Sequence, residues 1–219
     1  MRKLLFISLL LIVSSCSVTH KIINKPIKFD PQRVELTKEY LKERYGLEKN
    51  TIEIIPKMIV LHWTAIPTFE GSYDAFYNST LPSWRPDIEN VSGLNVSAHF
   101  LVDKDGSIYS LMPENHMGRH VIGLNHCAIG IENVGGTKGS PLTAKQLKAN
   151  IQLVKYLARK YNIDFLIGHY EYTNFEEHPL WLEVDKGYRT AKIDPGKDFM
   201  IKVRKATKKF KFTPVPIKK

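Results

Sequence analysis

Two histidines and an aspartate in this chain can bind a metal ion, and a lysine beside the aspartate can work next to it. Lys192-Ile193-Asp194-Pro195-Gly196 sets an ammonium and a carboxylate two residues apart, just before a Pro-Gly turn. His169 stands 25 residues before Asp194 and ends the run Phe165-Leu166-Ile167-Gly168; His62 ends the run Met58-Ile59-Val60-Leu61. Two imidazoles and one carboxylate suit catalytic zinc, which takes three protein ligands and keeps one position open for water. Such a set leaves the site net positive, enough to acidify bound water toward neutrality. Each residue also has a simpler reading. Either histidine can be a hydrogen-bonded core residue, and Asp194 can be an N-cap before Pro195. The ligands are dispersed, and no compact metal motif of the HExxH kind supports them.

Two further residues bear on the same chemistry. Glu132 interrupts the apolar run Ala128-Ile129-Gly130-Ile131, so its carboxylate lies either on a solvated face or in a cleft. Near a metal it can accept a proton from water and return it to a leaving nitrogen. Lys192 is either a solvated loop lysine or a cation placed against a developing oxyanion. Cys127, next to that run, has no acid–base partner in sequence and reads as a small core residue. His99, between Ala98 and Phe100, reads as a buried structural histidine, and His116, His126 and His178 fall in expected loops.

The elements that must hold these residues alternate between strand and helix. Asp30-Pro31 opens an amphipathic helix that Gly46 closes. Met58–Leu61 and Ala128–Val134 read as buried strands. Ser97–Val102 and Ser107–Met112 flank Asp103-Lys104-Asp105-Gly106, which predicts a hairpin. Thr143-Ala144-Lys145-Gln146 is a capping box, and Leu147, Ile151, Val154, Leu157, Ala158 and Tyr161 continue it at helical spacing. Phe165–Ile167 is a strand, residues 171–191 read as a long loop, and a closing helix is expected from Pro195 to about Lys205. The fold class is α/β, a mixed central sheet flanked by helices. Buried strand ends, where His62 and His169 fall, are where such sheets place ligands.

The ends predict export. Arg2 and Lys3 precede the apolar run Leu4–Val13, which is shorter than the ~20 residues a bilayer requires. Val13-Ser14-Ser15-Cys16 resembles a bacterial lipobox, making Cys16 the expected lipidation site; the simpler reading is ordinary signal cleavage near Ser15–Ser17 with Cys16 incidental. The expected layout is a signal over residues 1–16, a tether over 17–29, one catalytic domain over 30–206 and a mobile basic tail over 207–219. The formal charge is +10, or about +8 without Arg2 and Lys3. For an exported chain an anionic wall polymer or lipid headgroup fits that surface better than nucleic acid, and the expected state is a lipid-anchored monomer facing the periplasm or wall. With two cysteines in all, one of them Cys16, a disulfide framework is excluded. About 200 mature residues are enough to bury an ordinary core.

Five motifs, in order, carry a family resemblance: Val60-Leu61-His62-Trp63-Thr64; Ser97-Ala98-His99-Phe100-Leu101-Val102 with Asp105-Gly106; Ala128-Ile129-Gly130-Ile131-Glu132; Gly168-His169; and Lys192-Ile193-Asp194-Pro195-Gly196. From about Met58 to Met200 the chain resembles the zinc-dependent N-acetylmuramoyl-L-alanine amidases of the AmpD and peptidoglycan-recognition-protein superfamily. The resemblance implies cleavage of the amide between N-acetylmuramic acid and L-alanine in peptidoglycan or muropeptides. It implies His62, His169 and Asp194 as ligands of Zn2+, Glu132 as the catalytic carboxylate, Lys192 as the transition-state lysine and His120 as a substrate-cleft residue. Two departures stand out. The stretch from His169 to Asp194 is longer than in compact members, so residues 171–189 are expected as an insertion beside the cleft. Ala98 stands where phage-lysozyme-type members carry a tyrosine, which leaves the proton work to Glu132. A non-catalytic peptidoglycan receptor and a zinc endopeptidase acting on stem peptides are the competing functions.

Overall fold

Six strands form one mixed sheet in the order β1-β4-β3-β5-β2-β6. They are β1 (Ile22–Asn24), β2 (Met58–Leu61), β3 (Phe100–Val102), β4 (Ile108–Ser110), β5 (Ala128–Asn133) and β6 (Phe165–Gly168). The computed structural model describes residues 21–83, 88 and 91–218. The expected signal and lipidation site at Cys16 lie outside the described residues. Among the six named strands β3 and β4 pair antiparallel, as the predicted hairpin, and the other pairs are parallel; Gly106 takes φ +88° in its turn, where a side chain would be strained. β5, β2 and β6 form a parallel centre whose side chains are all buried, which explains their unbroken apolar runs.

Among the described residues four named helices flank the sheet: α1 (Pro31–Tyr45), α2 (Phe69–Tyr77), α3 (Ala144–Lys160) and α4 (Lys197–Thr207). α1 starts as expected, with Asp30 accepting from Arg33 N–H and Pro31 in the first turn, and ends at Gly46 in the left-handed conformation. Its buried stripe is Arg33, Thr37, Tyr40, Leu41 and Tyr45, with Arg33 only 1% exposed. The Arg33 guanidinium is buried because it donates to the Phe76, Tyr77 and Asn78 carbonyls, closing the end of α2. α3 carries the predicted capping box between Thr143 and Gln146. α3 and α4 cover the sheet face formed by Ile59, Leu61, Ile129, Ile131 and Leu166. Met58, Val60, Ala128, Phe165 and Ile167 pack on the opposite face.

Three stretches differ from expectation. The segment expected as a tether carries β1, parallel to β4, and buries Ile27. α2 was not predicted; its apolar contacts reach Leu101 and Ile27 rather than forming a long stripe. The expected mobile tail lies on the domain up to residue 218: Phe212 and Val215 pack against the two central clusters, and Thr213 N–H donates to Asp164 O at 2.8 Å. Its aromatic and apolar residues hold it there despite the lysines. Among the described residues no helix is long and apolar enough to cross a membrane.

Candidate active site

The strand register lines up three candidate side chains. Leu61 pairs with Ile131 on one side and Gly168 on the other. The next residue on each strand is therefore Glu132, His62 or His169, one row across three adjacent strands about 4.8 Å apart. All three are at least nine-tenths buried. A Cβ on Gly130 would point at the His120 ring, and Glu132, two residues further, projects from the same side. The row lies at the carboxyl ends of the parallel strands, where an α/β sheet holds its ligands.

Asp194 reaches this row through the backbone. Tyr170 N–H donates to Asp194 O at 3.1 Å, so the end of the long loop returns beside His169. Asp194 Oδ2 then lies 3.0 Å from His169 Nδ1 and 3.4 Å from His62 Nδ1. These three residues form a cluster whose ligand atoms all lie within 4.8 Å of one another. Ligands at 2.0–2.1 Å around a tetrahedral zinc sit ~3.3 Å apart. Both nitrogen–oxygen separations fit that edge. The two imidazoles and the carboxylate are thus a suitable donor set for zinc.

Electrostatics set the protonation that a metal needs. Burial, helped by the neighbouring His62 ring, pushes His169 down to about 4 against the pull of Asp194, so its imidazole is neutral near pH 7. Burial acts to raise the Asp194 carboxyl, but His169 and His62 outweigh it and hold the group well below the usual carboxylate range. Neutral imidazole and ionised carboxylate are the metal-binding forms.

Several residues that sequence reasoning did not single out hold this frame. His62 N–H donates to Ile131 O, and Asn133 Nδ2 donates to His62 O at 2.9 Å. Asn133 Oδ1 accepts from Asn150 Nδ2 at 2.6 Å, tying the row to α3. Gln146 Nε2 donates to the Val102 and Val134 carbonyls. Two amides among the buried positions of an amphipathic helix were the available signal, since buried polar groups need partners. On the other side, Arg204 of α4 forks onto Glu171, whose Oε2 also accepts Gly168 N–H at 2.8 Å.

A cleft of about 330 Å³ opens onto the cluster, with Arg119, His120, His169, Tyr188, Thr190 and Lys192 among its walls. Lys192 therefore faces the same space as His169. Residues 171–191 are more ordered than a plain loop. A 3-10 stretch, His169–Phe175, buries Tyr172 and Phe175. Tyr172 Oη donates to Thr190 O and accepts from Thr190 N–H, both at 2.8 Å. Glu183 then forms an ion pair of 2.6 Å with Arg44 of α1. This segment builds the cleft wall through Tyr188 and Thr190.

The other candidates separate cleanly. His120 lies on the cleft, yet its Nδ1 is 3.1 Å from His62 Nε2 and its Nε2 3.3 Å from Ala128 O. Burial, then the His62 and His99 rings, push it well below the ordinary histidine value. His99 is fully buried: Gly130 N–H donates to its Nδ1, and its Nε2 faces His116 O at 2.8 Å. His116, His126 and His178 are outside the cluster. Burial pushes the Cys127 thiol up to about 12, which removes it as a nucleophile.

Residues 40–197 match the family model described as N-acetylmuramoyl-L-alanine amidase. The chain is 32% identical over 93 residues to peptidoglycan recognition protein 3 of Mus musculus, covering 40% of this chain and 26% of that one. It is 31% identical over 83 residues to the endolysin of Klebsiella phage KP32, covering 36% of this chain and 55% of that one. The matched stretches thus span about a quarter and about half of these relatives. In fold it is similar to N-acetylmuramoyl-L-alanine amidase LysC from Clostridium intestinale URNW, with a TM-score of 0.51 and 23% identity over 89% of this chain and 100% of that one.

Proposed function

This chain belongs to the N-acetylmuramoyl-L-alanine amidase family, and we propose that it is a zinc-dependent hydrolase of the amide joining N-acetylmuramic acid to L-alanine in peptidoglycan or muropeptides. The observation that carries this reading is the row Glu132–His62–His169 closed by Asp194, with one carboxylate oxygen 3.0 and 3.4 Å from two imidazole nitrogens.

His62, His169 and Asp194 would hold the zinc. When bound, zinc acidifies water and polarises the scissile carbonyl. Glu132, next to His62 in the row, accepts the proton of the attacking water and delivers it to the departing alanine nitrogen. Lys192 brings its ammonium to the cleft, where negative charge develops on the carbonyl oxygen. On the same sheet face the preceding strand positions Met58, Val60, Ala128, Phe165 and Ile167 are apolar, which keeps bulk water from that side and strengthens both effects.

Export and a lipid anchor at Cys16, facing the periplasm or wall, complete the proposal. They rest on Arg2, Lys3, the apolar run and the lipobox-like residues alone. Metal analysis of purified protein and mass spectrometry of digested sacculi test the activity. About one zinc per chain and stems released with a free L-alanine amino terminus are expected. Cleavage inside the stem would make it an endopeptidase, and muropeptide binding with neither zinc nor turnover would make it a receptor.

A further inference from the structure

His62 presents Nδ1 to Asp194 and turns Nε2 inward, 3.1 Å from His120 Nδ1. His120 sets its own Nε2 3.3 Å from the Ala128 carbonyl. A carbonyl only accepts, so His120 Nε2 carries the hydrogen. In a neutral ring Nδ1 is then an acceptor, and its partner, His62 Nε2, must donate. That leaves the lone pair of His62 on Nδ1, facing Asp194 and His169. The geometry points to His120 as a positioning residue that fixes His62 in the Nε2–H tautomer and so frees Nδ1 for the metal. This inference rests on the zinc reading above.

The surroundings are built to hold that ring. A Cβ on Gly130 would lie 2.8 Å from His120, so only glycine lets the imidazole lie flat against β5. Asn125 Oδ1 accepts the N–H groups of His120 and Val121 at 2.9 and 2.7 Å, which pins the backbone. The His99 ring, itself fixed at both nitrogens, stands edge-on to His120 with centroids 5.8 Å apart. Both His120 nitrogens are engaged within the protein. Beside its place on the cleft wall, His120 therefore acts through His62. Holding the far nitrogen of a metal-bound histidine orients the ring and fixes its tautomer.

The test is zinc titration into metal-free protein against a chromophoric chelator. His120→Leu, which fills the space without an acceptor, is expected to bind zinc 10–100-fold more weakly than wild type, on the order seen for lost outer partners. His120→Asn, whose Oδ1 can accept from His62 Nε2, is expected to recover most of that loss. 15N NMR of the metal-free wild type is expected to show His62 protonated on Nε2, a readout that needs no variant to fold. A folded His120→Leu with wild-type zinc affinity, an Asn variant as weak as the Leu variant, or His62 protonated on Nδ1 overturns the inference alone. A wild-type chain that takes up no zinc overturns the zinc reading and the inference together.

Discussion

Replacing Arg44 by methionine tests whether the long segment between His169 and Asp194 is anchored as the geometry demands. Arg44 Nη2 lies 2.6 Å from Glu183 Oε1 and 3.3 Å from Asp185 Oδ2. The Glu183 side chain is 0% exposed and that of Arg44 13%. An exposed pair contributes about 1 kcal/mol at most. Removing one partner of a buried pair costs about 3–5 kcal/mol, because the other charge stays desolvated. Here the stranded group is a fully buried carboxylate whose remaining hydrogen bond among the described residues is from the Asp185 N–H, so the upper range applies. At roughly 2–4 °C per kcal/mol for a domain of this size, the melting temperature falls by about 6–20 °C. The guanidinium also stands 4.9 Å over the Tyr188 ring on the cleft wall, so KM should rise more than kcat falls. Thermal and urea unfolding measure the first effect and steady-state kinetics the second. Arg44→Met with Glu183→Leu should be more stable than Arg44→Met alone, since the stranded charge is gone. A loss below about 1 kcal/mol, or a double variant no better than the single, would refute the anchoring argument.

Glu132→Ala should keep its zinc, measured by metal analysis, and lose about 10²–10⁴-fold in turnover; wild-type turnover would remove the proton role. Stripping zinc with a chelator should abolish activity and lower the melting temperature, and added zinc at 100 times its Kd should restore about 2.7 kcal/mol. Burial holds His99 down to about 4, against 6.5 for an ordinary histidine. Its contribution is intact above pH 6.5 and is lost as pH falls toward 4, at up to about 1.4 kcal/mol per pH unit. Urea midpoints at pH 7 and 5 should therefore differ more in wild type than in His99→Gln. Gly136→Ala should destabilise by more than about 1 kcal/mol, because φ is +100° and a Cβ would lie 2.3 Å from the Trp63 ring; unchanged unfolding would contradict it.

Local chemistry made much of the scaffold legible. The Asp30-Pro31 start and Gly46 stop of α1, the Thr143/Gln146 box of α3 and the Asp-Gly hairpin appear where their residues dictate, because capping and turn geometry depend on neighbours a few residues away. α2 and β1 escaped because tertiary contacts hold them: the Arg33 guanidinium at one, pairing with β4 at the other. Arg33 becomes a buried cap through three carbonyls far along the chain, which no local pattern encodes.

For the site the division is sharper. Residue types made His62, His169, Asp194, Glu132 and Lys192 candidates, because few side chains combine metal affinity, proton transfer and positive charge, and the family resemblance gave them roles. Only the fold put Glu132, His62 and His169 in one row, since the register of three strands is a long-range pairing no local pattern encodes. The fold also decided His120. The family resemblance implied a substrate-cleft place for it, but which atom each ring nitrogen meets, His62 or Ala128, is set by packing.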